Sequence, residues 1–170
     1  MPSKVLVMDT SVLCCLLEVP GKETAGNSGD GWNYKKIASL IERETALSST
    51  FVLPLASLIE TGNHVAQAPG DRFAVAKRLA GIISKTAAAT TPWAAFTDQA
   101  DLWGSDRLEA LAQSWPELAK SSLSIGDATI KDVADYYAQA GFLVEIVTGD
   151  AGLKAYEPTL PALIPRRRQR

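Results

Sequence analysis

The chain has 170 residues, 46% of them hydrophobic, and a formal net charge of −2 at pH 7. This length and composition predict one globular domain that buries a normal core without disulfides or structural metals. No apolar run reaches the roughly eighteen residues that a membrane-spanning helix needs, and no signal peptide is indicated. We therefore expect a cytoplasmic protein with no membrane partner.

The charge is unevenly distributed along the chain. Four of the 17 basic residues lie at the C-terminus, which leaves 13 basic against 19 acidic residues, or −6, for the remainder. We therefore expect a domain at 1–158 and a basic tail at 159–170. An acidic body argues against broad contact with phosphate backbones but suits a site for divalent cations. The basic composition of the tail indicates phosphate contacts, and a solvated, disordered terminus is the alternative. The tail arginines are Arg166, Arg167, Arg168 and Arg170.

The first half of the chain alternates between strand and helix patterns. Lys4 to Asp9 is a short apolar run that predicts a buried strand, followed by a helix near Ser11 to Leu17. Residues 18–31 contain one proline and four glycines and predict a mobile surface loop. An amphipathic helix is expected at 32–47, and a short edge strand at 51–55.

The second half continues the alternation. Helices are predicted at 56–67 and at 71–89, a brief strand around 93–96, and a helical stretch at 101–120 interrupted at Gly104 and Pro116. A helix at 125–141, a β-branched strand at 142–148 and a short helix ended by Pro158 complete the chain. Strands separated by helices predict an α/β sandwich with a mainly parallel sheet. The adjacent Cys14 and Cys15 are expected in the core.

Acidic residues follow two of the predicted strands. Asp9 and Asp150 lie at the carboxyl ends of strands, the edge at which open α/β sheets bind ligands. Glu60 lies in an apolar helical stretch and Asp127 opens a helix, so both carboxylates need partners. Four acids at one edge would repel one another without a cation between them. Oxygen-only ligands favour Mg²⁺ or Mn²⁺.

The chain resembles the PIN-domain ribonuclease family. The resemblance rests on the sequences VLVMDTSVL, LASLIE, GDA and VTGD, which contain these four acids in order and bracket residues 4–156. It implies a three-layer α/β/α sandwich in which Asp9, Glu60, Asp127 and Asp150 bind one or two divalent metals and hydrolyse RNA phosphodiesters. Residues 90–122 contain nothing that matches the family.

The resemblance also suggests supporting residues. Ser11 and Thr10 are similar to the family's hydroxyl beside the first acid, and Thr148 is a further candidate to orient a carboxylate. Asn63 and His64 follow Glu60 by three and four residues, so either could approach the site from the same helix face. From this spacing alone, Asn63 is a candidate to support a metal-binding carboxylate or to contact a phosphate, whereas we expect His64 not to be a ligand. The tail arginines become candidate RNA contacts.

The family resemblance extends to partners. The chain is similar to the toxin half of a toxin–antitoxin pair. This similarity implies an antitoxin that blocks the acidic site and a nuclease that often dimerises. The long segment before Trp32 and the tryptophan-rich region 93–115 make this chain larger than a minimal member.

Other interpretations of these acids stay open. Asp9 and Asp127 could cap helices and Asp150 could form a turn, in which case Asp135 is the substitute ligand for Asp127. A PIN-like module that binds RNA or protein without catalysis is the alternative function. A phosphotransfer domain is disfavoured, because the first strand ends in Asp9-Thr10-Ser11 rather than Asp-x-Asp.

Overall fold

A computed structural model describes residues 2–159 of the chain. Its centre is a parallel sheet in the order β4-β1-β5, formed by β1 (Lys4–Met8), β4 (Thr50–Val52) and β5 (Leu143–Val147). Met8 pairs with Val147, so β1 and β5 end side by side. The prediction of an α/β fold with a parallel sheet is confirmed, and β4 is the short edge strand expected before Pro54.

Helices connect the strands and flank the sheet. The α-helices are α1 (Thr10–Leu16), α2 (Tyr34–Ala46), α3 (Leu55–Gln67), α4 (Arg72–Ala87), α5 (Ser105–Lys120), α6 (Ile125–Gln139) and α7 (Ala151–Lys154). A 3₁₀ helix, Phe96–Trp103, precedes α5. Helix α4 is capped by Asp71, whose side chain accepts a hydrogen bond from the Ala74 N–H.

Alternate side chains of the strands enter two separate cores. Leu6 and Met8 belong to a cluster with α1, α2, α3 and α4, which also buries Cys14 and Cys15. Val5 and Val7 belong to a second cluster with α6 and Leu153 of α7. Because successive strand residues point to opposite faces, these clusters place helices on both faces of the sheet, an arrangement compatible with a three-layer sandwich.

The predicted loop at 18–31 is wrong in its middle. Thr24–Ala25 (β2) pairs antiparallel with Trp32–Asn33 (β3), so helix α2 starts at Tyr34 rather than Trp32. The physical reason is packing against distant parts of the chain. The side chains of Ala25 and Trp32 pack on the first core, and the Trp32 indole N–H donates to the Thr148 carbonyl at 2.9 Å.

Two predictions for the region 93–120 are also wrong. Residues 93–96 form a single bridge between Trp93 and Phe51 instead of a strand, because the chain turns into the 3₁₀ helix, which Gln99 anchors by donating to the Leu53 carbonyl at 2.8 Å. Helix α5 runs through Pro116 without interruption. Its last turn is supported by Trp115, whose indole N–H donates to the Leu123 carbonyl at 3.2 Å.

Two further expectations concern the membrane and the tail. Within residues 2–159, no helix combines the length and the apolar character needed to cross a membrane. Arg166, Arg167, Arg168 and Arg170 of the predicted tail lie outside the described residues.

Candidate active site

Asp9 lies where β1 ends and caps the N-terminus of α1. The residue is buried, and its Oδ2 accepts hydrogen bonds from the Ser11 N–H at 3.3 Å, the Ser11 hydroxyl at 2.6 Å and the Thr148 hydroxyl at 2.7 Å. Three hydrogen bonds to one oxygen fix the orientation of this carboxylate. Asp9 is therefore the helix cap that the sequence allowed, and its other oxygen is left without a donor among the described residues.

Asp150 lies on the turn after β5, beside Asp9. Its Oδ1 caps α7 by accepting from the Gly152 N–H at 2.7 Å and the Leu153 N–H at 3.3 Å. The Thr148 hydroxyl joins the two aspartates, because it donates to Asp9 and accepts from the Asp150 N–H at 2.9 Å. The neighbouring strands thus position two carboxylates through one shared hydroxyl.

Glu60 reaches the same place from α3. Its Oε2 accepts from the Thr10 hydroxyl at 2.9 Å, and its Oε1 lies against Gly126 at the start of α6. A Cβ atom at Gly126 would collide with that oxygen, so the absence of a side chain there gives the carboxylate its space.

Asp127 is in the first turn of α6, where Ser124 is the N-cap. The Ser124 hydroxyl accepts from the Asp127 N–H at 3.0 Å and contacts the Asp127 Oδ2 at 2.8 Å. Burial raises the pKa of the Asp127 carboxyl, the charges of Asp9 and Asp150 raise it further, and the contact with Ser124 opposes them. Asp127 therefore lies within electrostatic range of both other aspartates.

All four carboxylates line one cavity of about 260 Å³. In each of them one oxygen accepts the hydrogen bonds just described, while the second oxygen has no hydrogen-bond donor among residues 2–159. None of the four forms an ion pair with a described Lys, Arg or His side chain. The cavity therefore presents four anchored carboxylates, each with one oxygen free of protein donors.

Sequence reasoning missed part of the cavity wall. Lys22 and Cys14 line it together with the acids, and so does His64, which its spacing from Glu60 allowed at this site. Burial lowers the pKa of His64, the nearby charge of Lys22 lowers it too, and Glu60 opposes both. Lys22 lies in a segment without any local signal, and Cys14 has the pattern of a core residue, so neither could be placed in this wall from the sequence.

Two other candidates lie elsewhere. Asn63 is exposed on α3 and is not part of this cavity wall. Asp135, the substitute ligand, forms an ion pair with Lys131 at 2.7 Å. The structure therefore brings together Asp9, Glu60, Asp127 and Asp150 with Ser11, Thr10 and Thr148, and leaves Asn63 and Asp135 outside the group.

The donor set suits a hard divalent cation, but the side chains are spread apart. Among residues 2–159, no three His, Cys, Asp or Glu side chains are close enough to hold a metal ion as they stand. The free oxygens of the four carboxylates are the atoms that would hold Mg²⁺ or Mn²⁺. Binding such an ion would require these side chains to turn toward one another across the cavity.

The β2–β3 hairpin forms one side of this site. Thr24 and Ala25 line the acidic cavity, and Gly149 packs directly on the backbone of Ala25 and Gly26. A Cβ at Gly149 would lie 2.7 Å from the Gly26 nitrogen, so only glycine allows the hairpin this close approach. The segment expected to be a loop is therefore a wall of the site.

We compared the chain with known proteins in three ways. A scan against models of protein families, a search of curated proteins and a search of solved structures each found no match.

Proposed function

We propose that this protein is a metal-dependent endoribonuclease of the PIN-domain kind, with a three-layer α/β/α fold. The observation that carries the proposal is the cavity lined by Asp9, Glu60, Asp127 and Asp150, in which each carboxylate keeps one oxygen free of protein donors. Purely structural carboxylates normally have their charge compensated by cations or hydrogen bonds. Four carboxylates around one cavity without an ion pair suit the binding of a cation.

The charges of the site determine the order of binding. Four carboxylates repel a phosphodiester, so a divalent cation must compensate them before an RNA strand can approach. The free oxygens of the four acids would hold Mg²⁺ or Mn²⁺, which would supply an activated water and compensate the charge that develops on the phosphate oxygens. His64 is the single histidine of the 170-residue sequence, so one chain cannot supply the two histidines of a two-histidine nuclease mechanism.

The chain's own residues hold the carboxylates for this chemistry. Ser11 and Thr148 orient Asp9, and Thr10 holds Glu60. Lys22 lines the same cavity, where its ammonium would attract the phosphate of a bound strand. In the toxin–antitoxin version of this proposal, a partner protein would cover the cavity and the nuclease would form a homodimer.

Cleavage of a mixed RNA pool tests the proposal. Purified protein is incubated with Mg²⁺, with Mn²⁺ and with EDTA, alongside Asp9→Asn and Asp150→Asn variants whose folding is checked by circular dichroism. Asp106→Asn is the matched control, since Asp106 is exposed on α5 away from the cavity. We expect metal-dependent cleavage that both site variants reduce by more than about 100-fold, an effect typical of lost electrostatic stabilisation.

The opposite result would favour the alternative function. A folded wild-type protein that cuts neither RNA nor single-stranded DNA with either metal contradicts the nuclease proposal. The separation of the acids in the described residues is the observation that favours a binding module without catalysis.

A further inference from the structure

A second, larger cavity lies on the other side of the hairpin and of the turn 148–150. Its volume is about 710 Å³, within the roughly 300–1,000 Å³ range of ligand pockets. Four cationic side chains line it: Lys35, Lys36, Arg43 and Lys154. The described residues contain 13 Lys and Arg, so nearly a third of them surround this one cavity of an acidic protein.

These cations are available to an anion. Lys35 has no carboxylate within ion-pair distance among residues 2–159, and the pair of Lys36 with Asp30, at 3.4 Å, is exposed to solvent. Such exposed pairs contribute little and exchange readily. Arg43 and Lys154 do have carboxylate partners, Glu44 and Glu157, but both side chains remain partly open to solvent.

The acids in the same wall do not cancel this charge. Glu145 forms an ion pair with Lys4 at 2.7 Å, so its charge is already compensated from outside the cavity. Asp30 and Asp150 are the other carboxylates of the wall, and Asp30 forms the exposed pair with Lys36. Lys35 is the lining cation without an ion-pair partner among residues 2–159, and the exposed Lys36–Asp30 pair can open to a competing anion. Lys35 and Lys36 are therefore the side chains that favour an anionic ligand here.

Trp32 adds an aromatic surface to the cavity. The residue is half-buried, and its indole N–H is fixed by the hydrogen bond to the Thr148 carbonyl. An aromatic ring held in place beside cationic side chains is the combination with which proteins bind single-stranded nucleic acid, because bases stack on the ring and phosphates meet the cations.

The two cavities share a boundary. Asp150 lines both of them, and the adjacent hairpin residues Ala25 and Gly26 line the acidic and the larger cavity, respectively. We propose that the larger cavity, lined by Trp32, Lys35 and Lys36, binds the part of a single-stranded RNA that continues past the scissile phosphate. This inference rests on the proposed nuclease function for the position of the cut, and it adds a binding site for the flanking strand.

Binding without cleavage tests the site. Fluorescence anisotropy of a labelled 12-nucleotide single-stranded RNA is measured in EDTA over a range of salt concentrations, for wild type and for Lys35→Ala/Lys36→Ala. The control is Lys77→Ala/Lys85→Ala, which removes the same charge from exposed positions on α4 outside both cavities. We expect the first variant to weaken binding about tenfold and to lower the salt slope by about 1.4, since each lost phosphate contact removes about 0.7. The control stays within about twofold of wild type.

A second measurement separates this proposal from the nuclease function. Cleavage of a dinucleotide in Mn²⁺ requires only the acidic cavity, whereas cleavage of the 12-nucleotide RNA also uses the larger one. The ratio of 12-nucleotide to dinucleotide cleavage should therefore fall in Lys35→Ala/Lys36→Ala and keep its wild-type value in Lys77→Ala/Lys85→Ala. If no RNA is cut by any form while binding still depends on Lys35 and Lys36, the nuclease function is contradicted and the binding site stands. Equal binding by both double variants, or no RNA binding by wild type, overturns the binding site.

Discussion

Two regions of this molecule treat carboxylates in opposite ways. Glu44 on α2 is buried, and both of its oxygens are used: Oε1 accepts from Lys4 and Arg43 at 3.0 Å each, and Oε2 accepts from Ser49 at 2.8 Å. The four acids of the candidate active site instead form no ion pair with a described side chain and keep one oxygen each without a donor.

The pKa directions follow the same division. Burial alone would raise the pKa of Glu44, but the hydrogen bonds from Ser49, Arg43 and Lys4 outweigh it and hold the pKa below its usual value. In the cavity, burial and the neighbouring aspartates raise the pKa of Asp127. A satisfied carboxylate stabilises the fold, whereas an unsatisfied cluster reduces stability and is retained where a ligand uses it.

The largest expected effect is on the satisfied side of this comparison. Glu44→Gln should reduce the free energy of unfolding by about 2 kcal/mol at pH 7, less than the full cost of breaking a buried ion pair because Lys4 and Arg43 still reach water. Urea unfolding of both proteins measures the difference. RNA cleavage by Glu44→Gln should remain within about twofold of wild type.

The difference in unfolding free energy between wild type and Glu44→Gln should depend on pH in a defined direction. A carboxylate whose folded pKa lies below its unfolded value contributes stability above the unfolded pKa and loses it as the pH falls through the folded pKa. The difference between wild type and Glu44→Gln should therefore be constant from pH 7 to about pH 5 and shrink below the ordinary value of 4.5. A difference that grows on acidification would contradict the role of Glu44 described here.

A smaller effect is expected where one hydroxyl serves two acids. Thr148→Val keeps the shape of the side chain but removes the donor to Asp9 and the acceptor for the Asp150 N–H. We expect about a tenfold loss of cleavage, at the lower end of the range for groups that orient metal-binding carboxylates.

Rescue by the conservative variant distinguishes orientation from packing at this position. Thr148→Ser retains the hydroxyl and should cleave RNA at nearly the wild-type rate, although it loses a buried methyl group. If Thr148→Ser were as inactive as Thr148→Val, the hydroxyl would not be what orients Asp9.

The parallel sheet and the four acids could be predicted because their signals are local, whereas the order of the strands in the sheet was not predicted. Asp9 and Asp150 directly follow β-rich apolar runs, and parallel strands end at one edge of a sheet. The position of the β2–β3 hairpin in the wall of the site could not be predicted from the sequence, because it depends on contacts between distant residues. The hydrogen bond from Trp32 to Thr148 spans 116 positions, and nothing near Lys22 or Trp32 in the sequence indicates it. The same limit applies to residues 93–96, whose strand-like composition is overruled by Gln99 binding the Leu53 carbonyl.

The smallest expected effect is a gain in stability from the cavity. Since the folded pKa of Asp127 is raised by burial and by the charges of Asp9 and Asp150, its ionised form destabilises the fold at neutral pH. Asp127→Asn removes that charge and should raise the melting temperature at pH 7. Because the carboxyl group is partly exposed, solvent screens the repulsion, and we expect less than about 1 kcal/mol, or at most about 2–4 °C.

The gain should disappear below the ordinary pKa of 3.8, where Asp127 is neutral in the folded and unfolded chains alike. Differential scanning calorimetry at pH 7 and pH 3 measures both values, and Asp106→Asn serves as the exposed control. A variant that is less stable than wild type at pH 7 would show that Asp127 supports the fold as Glu44 does, and the division between the two regions would no longer hold.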